Sequence, residues 1–340
     1  MPEELFTLMK TIAPGLAEQI ERRALVLERI DALQPVGRRL LAGRLNLPER
    51  EVRSIAATLK DNGLIELTAA GMALTPEAET ILSAARRFSR ELRGLTKMET
   101  ALSKLLHVPR VYVAAGDADQ DPHVLHEVGR LAASKLRSFL KSGSTMAVTG
   151  GQTMLELAHT LPGGMPMNVM VVPARGGIGR ALETQANTVA SEIARRLGGH
   201  HRLMHLPDDI DEATMAEMKK LSDVTETLEL LQRADVVLYG IGRADDMGQK
   251  RQLPADVLKS VLQRGAKAEA YGCYFNADGD VVYSASSVSR DLGKLKPDCA
   301  MIAVAAGARK AEAICAVMYA RPQTMLVTDE GAARAIVGNL

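Results

Sequence analysis

Glycine, hydroxyl and basic residues recur in the second half of the chain at one kind of position, directly after short apolar runs. The segments that share this pattern are TGGQT (149–153), PARGGIG (173–179), GIGR (240–243), AAGARK (305–310) and TDEG (328–331). Glycine lets backbone N–H groups approach an anion, and a helix N-terminus favours negative charge. Hydroxyl groups, arginine and lysine complete phosphate recognition. A single glycine of this kind most often marks only a tight turn, but five such segments together predict a site for a small phosphorylated metabolite.

Other classes of site fit the same segments less well. None of them matches GxGxxG or GxxxxGKS/T, so neither a dinucleotide nor a P-loop nucleotide is favoured. A sugar-phosphate isomerase or deaminase with an accessory DNA-binding domain is the alternative, and it would need a positioned general base. The candidate carboxylates are Asp117, Asp119, Glu269 and Asp329. The histidines do not follow the glycine segments and no metal-ligand spacing is visible, so we expect no catalytic residues and no metal site.

The elements that must position these segments are predicted to alternate between strand and helix. The predicted strands are 110–115, 145–149, 168–173, 201–206, 236–239, 300–304 and 325–328. Short apolar strands separated by helices indicate a doubly wound, mostly parallel α/β sheet covered on both faces. The carboxyl ends of parallel strands form one rim, where ligands bind. Residues 272–284 differ, because a turn at 276–279 between two strand-like runs predicts a hairpin.

Residues 35–75 predict a winged helix-turn-helix. A short helix over 37–45 is followed by a turn and by a second helix over 49–61, which Pro48 can start and Gly63 can end. Val52, Ile55, Ala56 and Leu59 recur at i, i+3, i+4 and i+7, as on the buried face of a helix. Alternating residues around the turn at 69–71 then predict a β-hairpin wing.

The outward face of the second predicted helix carries the candidate DNA contacts. In such motifs the N-terminal half of this helix enters the major groove, so we expect Arg50, Arg53 and Ser54 to contact bases or nearby phosphates. Arg38 and Arg39 are placed for phosphates, which position the protein without specifying sequence. A helical hairpin with an ordinary solvated face is the alternative. The turn, the helix stop, the wing and the local excess of basic residues all favour DNA binding.

Composition and length indicate the class of protein and the number of domains. The chain has 340 residues, 46% hydrophobic and 24% charged, with a net charge of +1, which suits a local DNA-binding head on a neutral body. We expect two domains, residues 1–93 and 94–340, the first ending in a connector helix. Charged residues near the N-terminus, the lack of an 18-residue apolar run and three cysteines without zinc spacing favour a cytoplasmic protein.

Several long stretches of the chain, taken in order, resemble the SorC/DeoR-type bacterial regulators over essentially all 340 residues. These stretches are PVGRRLLA, SGSTMAVTGGQT, VVPARGGIGR, ETQANTVASEIA, LYGIGRADDMGQKRQ, EAYGCYFNADGDVV, AGARKAEAI and LVTDEGAA. The resemblance implies a winged helix-turn-helix fused to an effector domain similar to sugar-phosphate isomerases and deaminases, in a homo-oligomer that is dimeric or, on DNA, tetrameric. It also implies a repressor of a glycolytic operon containing the glyceraldehyde-3-phosphate dehydrogenase gene, with fructose-1,6-bisphosphate as inducer and no cofactor.

The same resemblance assigns ligand-binding roles to individual residues. The positions that match the family's ligand site are Thr149, Gly150, Gly151, Gln152, Thr153, Arg175, Gln185, Lys250, Arg251, Glu269 and Lys310. Residues 149–153 match the turn for one phosphate, and the pair 250–251 matches the site for the second. Glu269 matches a partner of the sugar hydroxyls. The family carries Thr in place of Gln152 and Arg in place of Lys250.

Overall fold

The chain forms two compact units, Met1–Leu95 and Thr96–Leu340. The computed structural model describes residues 11–45, 47–163, 167–176, 182–206, 212–284 and 295–338. Residue 46 of the predicted turn and residues 177–179 of the PARGGIG segment lie outside the described residues. No helix in the described ranges combines the length and the apolar character needed to cross a membrane.

The first unit is a winged helix-turn-helix, as the sequence predicts. Its elements are α1 (Pro14–Leu33), α2 (Arg38–Leu45), α3 (Glu49–Asp61), β1 (Ile65–Thr68), β2 (Gly71–Leu74) and α4 (Pro76–Leu92). Val52, Ile55, Ala56 and Leu59 are buried, so the predicted apolar face of α3 packs into the core of this unit. The wing is an antiparallel hairpin, and Val36 forms a bridge with Met72 that ties the start of the motif to the wing.

The second unit is built around a seven-stranded, entirely parallel sheet. Its strands are β3 (Arg110–Ala114), β4 (Thr145–Val148), β5 (Met170–Pro173), β6 (His200–His201), β7 (Val236–Gly240), β12 (Ala300–Val304) and β13 (Met325–Asp329). The order across the sheet is β3-β13-β12-β7-β4-β5-β6. After β4 the chain proceeds to one side through β5 and β6, and from β7 it proceeds to the other through β12 and β13. The connections therefore diverge between β4 and β7, and this switch point is where ligands bind in open α/β sheets.

Helices precede, connect and follow these strands. They are α5 (Leu95–Leu105), α6 (His123–Leu136), α7 (Gln152–Thr160), α8 (Ala186–Arg196), α9 (Glu212–Met218), α10 (Ser222–Gln232), α11 (Ala244–Lys250), α12 (Ala255–Gln263), α13 (Ala311–Ala320) and α14 (Glu330–Gly338). Val128 of α6, Leu157 of α7 and Val189 of α8 are fully buried in one cluster with strand residues such as Met146 and Val236. This core fixes the start of α7 beside the carboxyl end of β4.

A small antiparallel sheet follows β7. It contains β8 (Gly242–Arg243), β9 (Ala268–Ala270), β10 (Cys273–Phe275) and β11 (Val281–Ser284), in the order β11-β10-β9-β8. The pairing of β10 with β11 confirms the predicted hairpin. Because β8 begins two residues after β7 ends, the small sheet starts at the carboxyl rim of the large one. This placement brings β9, which carries Glu269, toward that rim.

One predicted strand is much shorter than expected. The sequence predicts a strand over residues 201–206, whereas β6 contains only His200 and His201. The Asn187 side chain accepts the Met204 N–H at 2.9 Å and donates to the Met204 carbonyl at 3.1 Å. These are the backbone groups that a longer β ladder would use, so the side chain of α8 replaces the neighbouring strand.

Candidate functional site

The crevice at the switch point is bridged by the TGGQT segment. The Thr149 N–H donates to the Leu238 carbonyl at 3.0 Å, and the Thr149 hydroxyl accepts the Gly240 N–H at 3.2 Å. Thr149 and Thr153 are both buried. The end of β4 and the end of β7 are therefore joined by a threonine that precedes the glycine pair.

Both glycines of this turn are required by its geometry. A Cβ on Gly150 would lie 2.3 Å from the Thr184 carbonyl oxygen, and Gly151 has φ +116° at the N-cap of α7. The Gly151 N–H donates to the same Thr184 carbonyl at 2.8 Å. Gln185, the N-cap of α8, is thus adjacent to the turn. The next N–H groups, in the first turn of α7, have no acceptor within the helix and form a site suited to an anion.

The Gln152 side chain is directed along α7. Its amide donates to Glu156 Oε1 at 2.9 Å, and Glu156 Oε2 lies 3.4 Å from His126 Nδ1 on α6. Gln152 is exposed. The backbone N–H of this residue, rather than its side chain, is the group that the structure offers to an anion.

Arg175, Arg251 and Glu269 form one buried charged cluster. Arg175 Nη1 donates to Glu269 Oε1 at 2.7 Å, and Arg251 Nη2 donates to Glu269 Oε2 at 3.4 Å. The Gly272 N–H also donates to this carboxylate, at 2.8 Å. Arg175 is 5% exposed and Glu269 is 3% exposed. Burial alone would raise the pKa of Glu269, but the charges of Arg251 and Arg175 outweigh it and hold that pKa below its usual value.

Lys310 and Lys250 supply a second group of positive charge. Lys310 ends the 3₁₀ turn Ala308–Lys310, which follows β12 and begins after Gly307 at φ +103°. Burial lowers the pKa of Lys310 and the charge of Lys250 lowers it further, while Asp119, Asp329 and Asp246 oppose these effects. Lys250 itself is exposed at the end of α11. The charge of Lys250 therefore acts on Lys310, and both lie in segments that follow strands of the large sheet.

The carboxylates considered as general bases have structural roles instead. Asp329 is fully buried and accepts N–H groups from Ala118, Gly307 and Ala332 at 2.7, 2.9 and 3.0 Å. Burial raises the pKa of Asp329, although these backbone hydrogen bonds oppose the shift. Asp119 accepts the backbone N–H of Arg309 at 2.8 Å. These bonds hold the loops after β3, β12 and β13 together, which sequence reasoning did not foresee.

Two further glycines make that arrangement possible. A Cβ on Gly307 would lie 2.8 Å from Asp119 Oδ1, and one on Gly331 would lie 2.3 Å from Asp117 Cγ. These two glycines at the rim therefore leave room for the carboxylate side chains of Asp119 and Asp117. Within the described residues, no group of three or more His, Cys, Asp and Glu side chains could hold a metal ion.

The five candidate DNA contacts all lie on the exposed surface of the first unit. These residues are Arg38, Arg39, Arg50, Arg53 and Ser54. Glu49, the first residue of α3, stands between two of them: its carboxylate lies 3.6 Å from Arg39 Nε and 3.5 Å from Arg53 Nη2. Arg39 of α2 and Arg53 of α3 thus each have a carboxylate within ion-pair distance.

Comparison with known proteins assigns both units to a family. The CggR N-terminal DNA binding domain model matches residues 20–88, and the Sugar-bind model, a sugar-binding domain, matches residues 90–338. The chain belongs to the SorC/DeoR-type family of sugar-binding transcriptional regulators. It is similar to two proteins named central glycolytic genes regulator, from Priestia megaterium (37% identity) and Bacillus subtilis (34% identity), each match covering 98% of both chains.

Solved structures agree with this assignment. A SorC family transcriptional regulator from Enterococcus faecalis is 33% identical, with a TM-score of 0.66, over 71% of this chain and 99% of that one. The full-length sorbitol operon regulator SorC from Klebsiella pneumoniae shares the fold, with a TM-score of 0.68 over 94% of this chain and 98% of that one, at 17% identity. The chain is therefore a transcriptional regulator with a DNA-binding and a sugar-binding domain. Its relatives are regulators, which agrees with the expectation that the chain is not an enzyme.

Proposed function

We propose that the chain represses a glycolytic operon containing the glyceraldehyde-3-phosphate dehydrogenase gene and releases its operator when fructose-1,6-bisphosphate binds. The proposal rests on one observation: the glycine turn at Gly150 and Gly151 and the cations Lys250 and Lys310 follow strands at the same rim of the sheet. This chain is also similar to two central glycolytic genes regulators. In this proposal residues 1–93 bind the operator. Residues 94–340 bind the sugar and join subunits into dimers that form tetramers on DNA.

The first phosphate binds at the start of α7. The N–H groups that follow Gly151 point out of the helix end, and the helix dipole adds partial positive charge there. Gly150 allows the turn to pack against residues 184–186, so the donors are held in place before a ligand arrives. Thr153 is buried in the same helical turn, and its hydroxyl is a further candidate donor.

The second phosphate binds to Lys250, Arg251 and Lys310. Burial and, after it, repulsion by the charge of Lys250 lower the pKa of Lys310. An anion placed between them removes this repulsion and gains attraction to both. A bisphosphate therefore has a binding group at each end, whereas a monophosphate satisfies only one.

The sugar between the phosphates contacts the buried charged cluster. Glu269 is held as a carboxylate by Arg175 and Arg251 and can accept hydrogen bonds from sugar hydroxyls. Arg251 belongs to both groups, since it contacts Glu269 and follows Lys250 at the end of α11. Movement of Arg251 toward a phosphate would shift the end of α11. A ligand can shift the protein toward one subunit arrangement only if it binds that arrangement more tightly than the other.

The test is operator binding measured by fluorescence anisotropy with and without fructose-1,6-bisphosphate. Lys310→Ala should bind operator as the wild type does and should no longer release it at ligand concentrations that release the wild type. Lys267→Ala is the matched control, because Lys267 lies in the same unit but forms an exposed ion pair with Glu312 at 2.9 Å. Fructose 6-phosphate should bind without full release. If Lys310→Ala still releases operator at wild-type ligand concentrations, the assignment of the second phosphate is wrong.

A further inference from the structure

Glu49 occupies a position where a negative charge opposes DNA binding. It is the first residue of α3, the helix that carries Arg50 and Arg53. One carboxylate oxygen lies 3.6 Å from Arg39 Nε and the other lies 3.5 Å from Arg53 Nη2. The side chains of Arg39 and Arg53 are 92% and 62% exposed, so both remain accessible to a duplex. A phosphate must compete with Glu49 for each of them.

This competition differs between operator and other DNA. Binding to an arbitrary sequence depends almost entirely on phosphate contacts, so a carboxylate among the basic side chains weakens it directly. On the operator, a base contact by Arg53 would replace its contact with Glu49, and base contacts supply part of the affinity. The carboxylate therefore penalises non-operator DNA more than operator DNA.

We propose that Glu49 sets the specificity of the regulator by suppressing its affinity for non-operator DNA, an inference that depends on the proposed operator-binding function. An exposed ion pair contributes little to stability, so the pairs with Arg39 and Arg53 are not needed to hold the fold. Their effect lies in the charge that the surface presents. Removal of Glu49 takes away the carboxylate with which a phosphate must compete for both arginines.

The expected size of the effect follows from counterion release. The logarithm of the binding constant falls by about 0.9 per neutralised phosphate for each tenfold increase in salt. One additional phosphate contact therefore strengthens binding by about eightfold at 0.1 M salt relative to 1 M salt. At about 0.1 M salt, Glu49→Gln should raise the affinity for a scrambled duplex by about this factor and steepen its salt dependence by about one phosphate, with a smaller change for operator.

Glu51→Gln is the matched control. Glu51 lies in the same first turn of α3, but its partner is Arg22 on α1, at 2.6 Å, outside the predicted DNA contacts. Both substitutions remove one negative charge and one favourable interaction with the helix dipole. Glu51→Gln should leave the affinities for both duplexes within about twofold of wild type. Its removal frees no arginine among the predicted DNA contacts, so no additional phosphate contact becomes possible.

The experiment uses the full chain with operator and scrambled duplexes of equal length. Anisotropy titrations are made at salt concentrations from roughly 0.05 to 0.3 M, where counterion release makes the affinity depend on salt. Glu49→Ala repeats the comparison without an amide that could bond to the arginines, and thermal melting verifies folding. Unchanged binding of Glu49→Gln to scrambled DNA, or an equal gain in Glu51→Gln, overturns the inference. Selective loss of operator affinity also overturns it, because Glu49 would then contact a base. A wild-type protein that does not prefer operator would overturn the proposed function itself.

Discussion

Replacement of Glu269 by glutamine tests the buried charged cluster of the effector domain. Glu269 is the common partner of Arg175 and Arg251, and the pair with Arg175 is almost fully buried. Glutamine keeps the shape of the side chain and one acceptor oxygen but removes the charge. Arg175 then loses the charge of its carboxylate partner in a buried position, and Arg251, whose side chain is 26% exposed, loses it where solvent has partial access.

The expected cost is large for a single substitution. Removing one partner of a buried ion pair destabilises a protein by about 3–5 kcal/mol. The retained acceptor oxygen places Glu269→Gln near the lower end, about 3 kcal/mol. For a domain of 150–250 residues, about 1 kcal/mol corresponds to a 2–4 °C change in Tm. The effector-domain transition should therefore fall by about 6–12 °C.

Glu192→Gln provides a control with the same number of arginine partners at the surface. Glu192 accepts from Arg195 and Arg196 on α8, at 2.6 and 2.9 Å, and the hydrogen bond from Arg195 is the main cause that lowers the pKa of Glu192 to about 2. The side chains of Arg195, Arg196 and Glu192 are 66%, 30% and 19% exposed, so solvent screens these pairs more than it screens the pair of Arg175 with Glu269. Exposed helical pairs contribute about 0.3–0.5 kcal/mol each, and this variant should lose at most about 1 kcal/mol.

The difference between wild type and Glu269→Gln should depend on pH in a defined direction. Because the folded protein holds the pKa of Glu269 below its usual value of 4.5, the ionised carboxylate stabilises the fold fully above pH 4.5. This stabilisation is lost as the pH falls from there through the folded-state pKa. Differential scanning calorimetry of the full chains between neutral pH and the lowest pH at which they remain folded measures the effect. A Glu269→Gln transition within the shift of Glu192→Gln at neutral pH would refute the reasoning.

Two further predictions concern the other functional surfaces. Arg53→Ala should cost about 1–3 kcal/mol of operator affinity and relax specificity, whereas Arg38→Ala should weaken binding to operator and scrambled duplexes alike; gel shifts against both separate these results. Normal operator binding by Arg53→Ala would mean that the recognition helix is assigned wrongly. Gly150→Ala should abolish stabilisation by fructose-1,6-bisphosphate in a thermal shift assay, because the new Cβ would lie 2.3 Å from the Thr184 carbonyl oxygen, while Gly163→Ala has open space and should respond normally. An intact response in Gly150→Ala would contradict a phosphate site at this turn.

The elements of the DNA-binding unit follow from local sequence. The predicted helix over 49–61 matches α3 at both ends, and the predicted wing matches β1 and β2. The signals involved span only a few residues: an apolar residue every three or four positions, a proline at a helix start and a glycine after its end. Such signals depend on the backbone geometry of one element and need no knowledge of distant partners. The glycine segments at strand ends were recognisable for the same reason.

The partners of each side chain were decided by the tertiary structure. Arg175 and Glu269 are 94 residues apart in sequence, and their contact depends on a small sheet that starts where β7 ends. Asp329 resembles a possible general base in sequence, but its three backbone donors come from loops of the folded unit. The expected strand at 201–206 is cut short by Asn187, a residue on a helix. The sequence by itself determined which helices and strands form and where the glycines and charged residues lie relative to their ends, because these features depend on near neighbours. Only the strand order could decide which charges meet, because pairing between distant segments depends on the packing of the whole domain.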